Sequence, residues 1–291
     1  MVKRIGLFLL TNLLIITTIS IVIRVLGIDA RYLSNGSLDY AALMKICLVW
    51  GMTGSVISLA LSRVMAKWAM GVQVLKPGQA GQFEWLCDLV NQLAKSAGLP
   101  KTPEVGIYNS PEMNAFATGP TRNRALIAFS SGILSGMDRD QIAGVAGHEM
   151  AHIANGDMVT MTLLQGIINA FVMFLSRVIS FAISQGVKEE HRGLVNMLVP
   201  ILLDIFLSIL GSLVVCWFSR QREFRADKGG AQYAGRERMA SALRRLADGR
   251  LLPEAHPSLA TMKISGRPGG FLSLFATHPP LALRLQRLST P

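Results

Sequence analysis

Four stretches of the chain are almost continuously apolar and long enough, at about 20 residues, to cross a bilayer as helices. They are Ile5–Ile23, Ile46–Leu61, Met158–Ser176 with a continuation to Ile183, and Leu194–Phe218. Lys3-Arg4 and Arg24 frame the first, and Lys45 and Arg63 the second. The first run is too long for the core of a signal peptide, and Ile21-Val-Ile-Arg-Val25 offers no small-residue cleavage site, so it reads as a retained anchor. The third run carries Thr162, Gln165, Asn169 and Ser176 at helical spacing, and the fourth Asp204, Ser208 and Ser212. Such polar stripes face other helices or a wet cleft. Arg177 and Asp204 are the strong charges in these runs. A rise of 1.5 Å per residue puts them at similar depths, so an Arg177–Asp204 pair is expected. If the third span instead stops at Ser176, Arg177 merely marks its end.

Between the second and third runs the pattern changes. Phe83, Leu86, Leu89, Val90 and Leu93 repeat at helical spacing over residues 82–97, before a glycine stop. Val105–Tyr108, Asn114–Ala117 and Ala125–Phe129 read as short strands, the last two joined through Gly119-Pro120. A further helix starts at Asp138, where Asp138-Arg-Asp-Gln141 resembles a capping box, and stops at Asn155-Gly156. The expected organisation is two N-terminal spans (1–63), a segment with a small sheet (64–157), two more spans (158–218) and a C-terminal segment (219–291).

Composition supports the membrane reading. Apolar residues make up 51% and charged residues 16%; the mean hydropathy is +0.40. Soluble chains carry about 25% charged residues. The net charge of +11 is unevenly spread: residues 64–157 hold 7 basic and 8 acidic residues, residues 219–291 hold 13 and 5. No aromatic RNA-binding run or Cys/His finger accompanies the excess, so no nucleic-acid partner is expected. The loops at 24–40 and 184–193 are neutral, while Arg63, Lys67 and the basic C-terminal segment share the other side. The positive-inside rule then puts both termini and the 64–157 segment in the cytoplasm, which in a bacterium makes this an inner-membrane, multi-pass protein. Cys47, Cys87 and Cys216 are scattered and form neither a disulfide framework nor a CxxC site, so a metal would be held by histidine and carboxylate.

The 138–155 helix contains His148-Glu149-Met150-Ala151-His152, an HExxH pattern. Residues i and i+4 stack on one helix face, so both imidazoles can reach one ion, with Glu149 beside them to take a proton from a metal-bound water. A catalytic zinc needs a third protein ligand. No histidine follows at the metzincin spacing. Glu189 and Glu190 are expected on the opposite side of the membrane and Asp204 within a span, while Glu237, Asp248 and Glu254 have no companion group. Glu223 stands just past the fourth span, and Asp227 lies four residues on. Glu223 is the expected ligand, and Asp227 the carboxylate that orients a ligand histidine through its other ring nitrogen.

With these residues in place, the chain resembles the HtpX family of membrane zinc endopeptidases, relatives of the prenyl-protein CAAX endopeptidases. The likeness rests on His148–His152 followed by Asn155-Gly-Asp157, and on Glu223-Phe-Arg-Ala-Asp227. Asn114-Ala-Phe-Ala-Thr-Gly119, Thr277-His-Pro-Pro280 and the opening Lys3-Arg-Ile-Gly-Leu-Phe-Leu add to it. The resemblance implies a mainly α integral membrane protein with four transmembrane helices and a cytoplasmic α+β gluzincin-type zinc protease domain. It implies one Zn²⁺ per chain on His148, His152 and Glu223, with Glu149 as general base. It also implies cleavage of misfolded or damaged membrane proteins under stress, alongside other membrane proteases. By the family pattern His278 lies near the zinc, where it stabilises the developing oxyanion. Asn114, Ala115, Phe116 and Ala117 form an edge strand on which an extended substrate pairs. Residues 249–270, rich in Pro and Gly, read as a loop placed to gate the cleft, and His191 and His256 as bystanders.

Two other readings compete. One is an intramembrane site-two protease, in which HExxH lies inside a span; here it follows Asp138, Arg139 and Asp140 in a helix of mixed polarity. The other is a non-catalytic scaffold or chaperone that keeps zinc for folding, which has no need of Glu149. Substrates are expected to be membrane proteins or polypeptides close to the lipid bilayer. A topology reporter fused after residue 100 should read cytoplasmic and one after residue 30 external; an external signal at 100 would overturn the orientation.

Overall fold

The computed structural model describes residues 2–28, 33–34, 37–248 and 270–289. Apart from Gly270, the loop expected at 249–270, including His256, lies outside the described residues. The elements follow in the order α1 (Val2–Val25), β1 (Leu33–Ser34), β2 (Ser37–Leu38), α2 (Tyr40–Ala69), β3 (Gln73–Leu75), α3 (Glu84–Ser96), β4 (Glu104–Tyr108), β5 (Ala115–Thr118), β6 (Leu126–Ser130), α4 (Ser131–Gly136), α5 (Arg139–Asn155), α6 (Asp157–Gln185), α7 (Glu189–Ala234), α8 (Arg236–Asp248) and α9 (Leu281–Ser289). The chain divides into two units, one of Met1–Ser58 and Met161–Val215, the other of Leu59–Thr160 and Cys216–Pro291.

In the first unit the helices are apolar on nearly every side. Among the described residues α2, α6 and α7 are long and apolar enough to cross a membrane, and Asn12–Val25 within α1 is a shorter apolar helix. On α7, Ile201, Leu202, Ile205, Phe206 and Ile209 are all exposed, which is costly in water and favourable in lipid. Small residues let helices touch: a Cβ on Gly51 of α2 would lie 2.6 Å from the Gly166 carbonyl oxygen and 2.7 Å from the Ala170 nitrogen of α6. α6 runs unbroken through Arg177 to Gln185, so this arginine sits within the helix rather than at its end. Its Nη1 donates to both oxygens of Asp204, each at 2.6 Å. Ser176 Oγ donates to the carbonyl of Pro200, a residue inside α7. The pair expected from the sequence is therefore formed.

The second unit is built on a four-stranded sheet in the order β3-β4-β6-β5. β4 and β6 run parallel, Val105 opposite Ile127, while β3 and β5 pair antiparallel at the two edges. β6 is buried along its whole length. α3 lays Leu86, Val90 and Leu93 into this core. α5 begins at the expected capping box of Asp138 and Gln141 and ends at Gly156, which is left-handed with φ 70°. It packs between the sheet and α8, closely enough that a Cβ on Gly144 would meet the Arg238 carbonyl oxygen at 2.3 Å. Ser130 closes β6 by capping α4, accepting a hydrogen bond from the Ile133 amide.

Removing one partner of the Arg177–Asp204 pair leaves a charge stranded among apolar helices. Asp204→Ala should cost on the order of 2 kcal/mol, and exchanging the two residues should recover most of the loss. Thermal unfolding in detergent micelles reads this; an exchange that recovers nothing would show that the pair does not hold the helices.

Candidate metal centre

One turn of α5 carries both histidines, with both rings buried. Their Nε2 atoms face each other at 3.1 Å. The carboxylate of Glu223 on α7 closes the triangle, with Oε2 3.3 Å from His148 Nε2 and Oε1 3.3 Å from His152 Nε2. One ligand atom from each of the three residues lies within 4.8 Å of the others. Nitrogens bound tetrahedrally to one zinc at about 2.05 Å sit about 3.3 Å apart, so these spacings fit a shared ion.

Each ring is aimed by its other nitrogen. His148 Nδ1 lies 3.0 Å from Asp227 Oδ1, and His152 Nδ1 lies 2.6 Å from Asp157 Oδ2. Such contacts set the tautomer, so that Nε2 presents its lone pair to the metal. Arg284 of α9 reaches in from the C-terminal segment, its Nη2 and Nε donating to the two oxygens of Asp227 at 2.6 and 2.8 Å. Asp157, Asp227, Glu223 and Arg284 are exposed by only 2%, 3%, 0% and 4%. Three buried carboxylates face one buried guanidinium, with Arg222 3.4 Å from Glu223 Oε1 and Arg225 4.0 Å from Asp157 Oδ1 at the margin; the acidic excess in the buried centre suits a divalent cation. Glu223 Oε2 is buried without an aligned donor, although His278 Nδ1 stands 2.8 Å away.

Without an ion, protons take over that balance. Burial works against charge on His148, but hydrogen bonds to Asp227 and Glu223 outweigh it and push its pKa up to about 9. His152 is raised for the same reason, with Asp157 and then Glu223 overcoming burial.

The structure brings most of the expected residues to one cavity of about 330 Å³, lined among others by His148, Glu149, His152, Glu223 and His278. Glu149 is half-buried on its wall. Asn114 to Ala117 line the cavity too; β5 begins at Ala115 and, at the end of the strand order, is an edge strand among the described residues. Asp227 sits beside the centre, on His148. His191 is exposed in the other unit. Two residues escaped the sequence reading. Asp157 follows the helix stop Asn155-Gly156, and the left-handed glycine returns it to His152 five positions back. Arg284 carried no local signal, being one of 13 basic residues in 219–291.

A His–His–Glu triple with oriented rings, beside a free carboxylate and an open strand edge, is the site of a metallopeptidase. Comparison with known proteins says which kind. Residues 80–291 match the model of peptidase family M48. Curated relatives include the protease HtpX homologues of Bacillus licheniformis, 51% identical over 98% of either chain, and of Bacillus subtilis strain 168, 50% identical over 99% of either chain. The chain belongs to peptidase family M48, and its apolar helices make it a membrane metalloprotease. Among solved structures, Ste24p of S. mikatae shares the fold, with a TM-score of 0.65 at 16% identity. The match covers 99% of this chain and 65% of that one, so this chain spans less than two thirds of its length.

Because a metal must displace ring protons, its binding should tighten as pH rises toward 9 and should expel more than one proton per ion at pH 7. Calorimetry of zinc addition to stripped protein, in two buffers of different ionisation enthalpy, measures this; proton release near zero would contradict the assignment. Asp157→Asn should weaken zinc binding about 10- to 100-fold, through His152.

Proposed function

We propose that this protein is a zinc endopeptidase anchored by four transmembrane helices in the bacterial inner membrane. It cleaves misfolded or damaged membrane proteins, and chains close to the bilayer, on the cytoplasmic side. The observation that carries the catalytic reading is the convergence of His148, His152 and Glu223 on one point, with Glu149 on the wall of the same cavity. The fourth span would be α1, whose apolar run is framed by basic residues. The cytoplasmic assignment rests on the Lys/Arg bias of the chain, and the quality-control role on the resemblance to HtpX proteases.

In this reading His148, His152 and Glu223 hold Zn²⁺. The bound ion supplies a Lewis acid and a water acidified to about pKa 7. Glu149, on the wall of the same cavity, would be the residue that accepts a proton there and passes it to the leaving amine. Asp227 and Asp157 hold the two rings in the ligating tautomer, and Arg284 holds Asp227. An extended substrate pairs with the free edge of β5 at Asn114–Ala117, which brings its backbone alongside the HExxH helix. His278 stands with its Nδ1 2.8 Å from Glu223 Oε2; in its doubly protonated form its Nε2–H would donate to the carbonyl oxygen as charge develops there.

Glu149→Gln should keep zinc and lose at least 1,000-fold in cleavage of casein or of the enzyme itself, on the order expected for a base that the reaction requires. Glu223→Ala should instead lose zinc, read by metal analysis of purified protein. Bound zinc with no chelator-sensitive cleavage by the wild-type protein would favour a non-catalytic zinc scaffold over this reading, and full activity in Glu149→Gln would remove Glu149 from its role.

A further inference from the structure

A second recess of about 340 Å³ lies beside the first turn of α6, sharing Met158 with the cavity of the metal centre. Its polar wall is Thr121, Arg122 and Asn123, and its floor is apolar, from Met158 and Val159. Arg122 is exposed, and no ion pair or hydrogen bond of its side chain is found among the described residues. Its guanidinium lies over the turn, 3.9 Å from where a Cβ on Gly156 would stand. Arg225 flanks the same turn. It leans on the Phe218 ring at 5.9 Å, its side chain is 58% exposed, and its carboxylate neighbour Asp157 is 4.0 Å away with its other oxygen committed to His152. Arg122 thus stands under-neutralised at an apolar floor, with the guanidinium of Arg225 nearby against Asp157.

α6 is apolar enough to cross a membrane and starts at Asp157, and exposed Trp217 precedes Phe218, Arg220 and Arg225 on α7. Aromatic and basic residues in such a run mark headgroup depth. A phosphodiester satisfies the arginines, and the glycerol and first acyl carbons cover Met158 and Val159. Among the described residues no acidic side chain lines the recess to repel an anion. A free phosphate would leave the apolar floor uncovered.

We propose that this recess binds the headgroup of an anionic phospholipid, next to the residue that orients His152. The proposal does not depend on the peptidase reading. The test uses the full chain, zinc-loaded, in detergent with equal amounts of phosphatidylglycerol and phosphatidylcholine, and native mass spectrometry of the retained lipid. Wild-type protein should retain phosphatidylglycerol about five-fold or more over phosphatidylcholine, the effect of one arginine at an anionic lipid surface. Arg122→Gln should fall to near parity with its zinc content and melting temperature unchanged. Val159→Glu, which places a carboxylate in the floor and keeps the arginine, should lose the preference as well, and decides the matter if Arg122→Gln does not fold. The proposal is overturned if wild-type protein shows no preference, if the folded variants keep it, or if millimolar inorganic phosphate displaces the lipid, which would make this a phosphate site.

Discussion

Charge that is out of reach of water must be neutralised where it stands, and in this protein that requirement shapes the centre of the second unit. Asp157, Asp227 and Glu223 are buried together with a single buried arginine. The acidic excess of this buried cluster has two solutions within the same geometry. A divalent cation between His148, His152 and Glu223 is one, and protons on the two imidazoles are the other. The raised pKa of His148 is the mark of the second solution, and the 3.1 Å approach of two Nε2 atoms is the mark of the first. The site is therefore organised for an ion before any chemistry begins, and neither histidine has to search for its rotamer.

Local backbone geometry supplies most of that organisation. The i, i+4 spacing on α5 stacks His148 and His152, and the same spacing on α7 stacks Glu223 and Asp227. A glycine on α7 lets the two helices meet: a Cβ on Gly230 would lie 2.9 Å from the His148 amide nitrogen. The left-handed Gly156 folds Asp157 back to His152. α9 is fastened by Leu281 and Leu288 against Met239 and Leu243 of α8, and Arg287 rests 3.8 Å from the Phe224 ring centroid. Arg284 completes the charge balance from that position, so the C-terminal helix is a structural part of the centre. β5 contributes a free edge on one wall of the cavity, and α5 packs against that strand.

Long-period signals in the chain carried far. The apolar runs at 46–61, 158–183 and 194–218 all fall inside observed helices, and the capping box and Gly stop of α5 stand where expected. Strands β4, β5 and β6 lie within a residue of their predicted positions. What escaped has a common cause. β3 is three residues long, too short for an alternation to register. α8 faces the core with Met239, Ala240, Ala242 and Leu243, and small side chains give a faint periodic signal among six charged neighbours. At the site, the residues visible in advance were those at helical spacing or in an HExxH pattern. Asp157 depends on a turn reversing direction, and Arg284 on the docking of a helix 57 residues from Asp227. A contact across that separation leaves no trace in local pattern.

The proposed function rests on three side chains placed to share one ion. Crystals of the purified protein, measured at and below the zinc absorption edge, would locate that ion without reference to activity. A single anomalous peak is predicted within about 2.0–2.2 Å of the Nε2 atoms of His148 and His152 and of one Glu223 oxygen, with Asp157 and Asp227 on the outer nitrogens of the rings. A zinc-loaded crystal with its peak elsewhere, or with the Glu223 carboxylate turned away from both histidines, would contradict it.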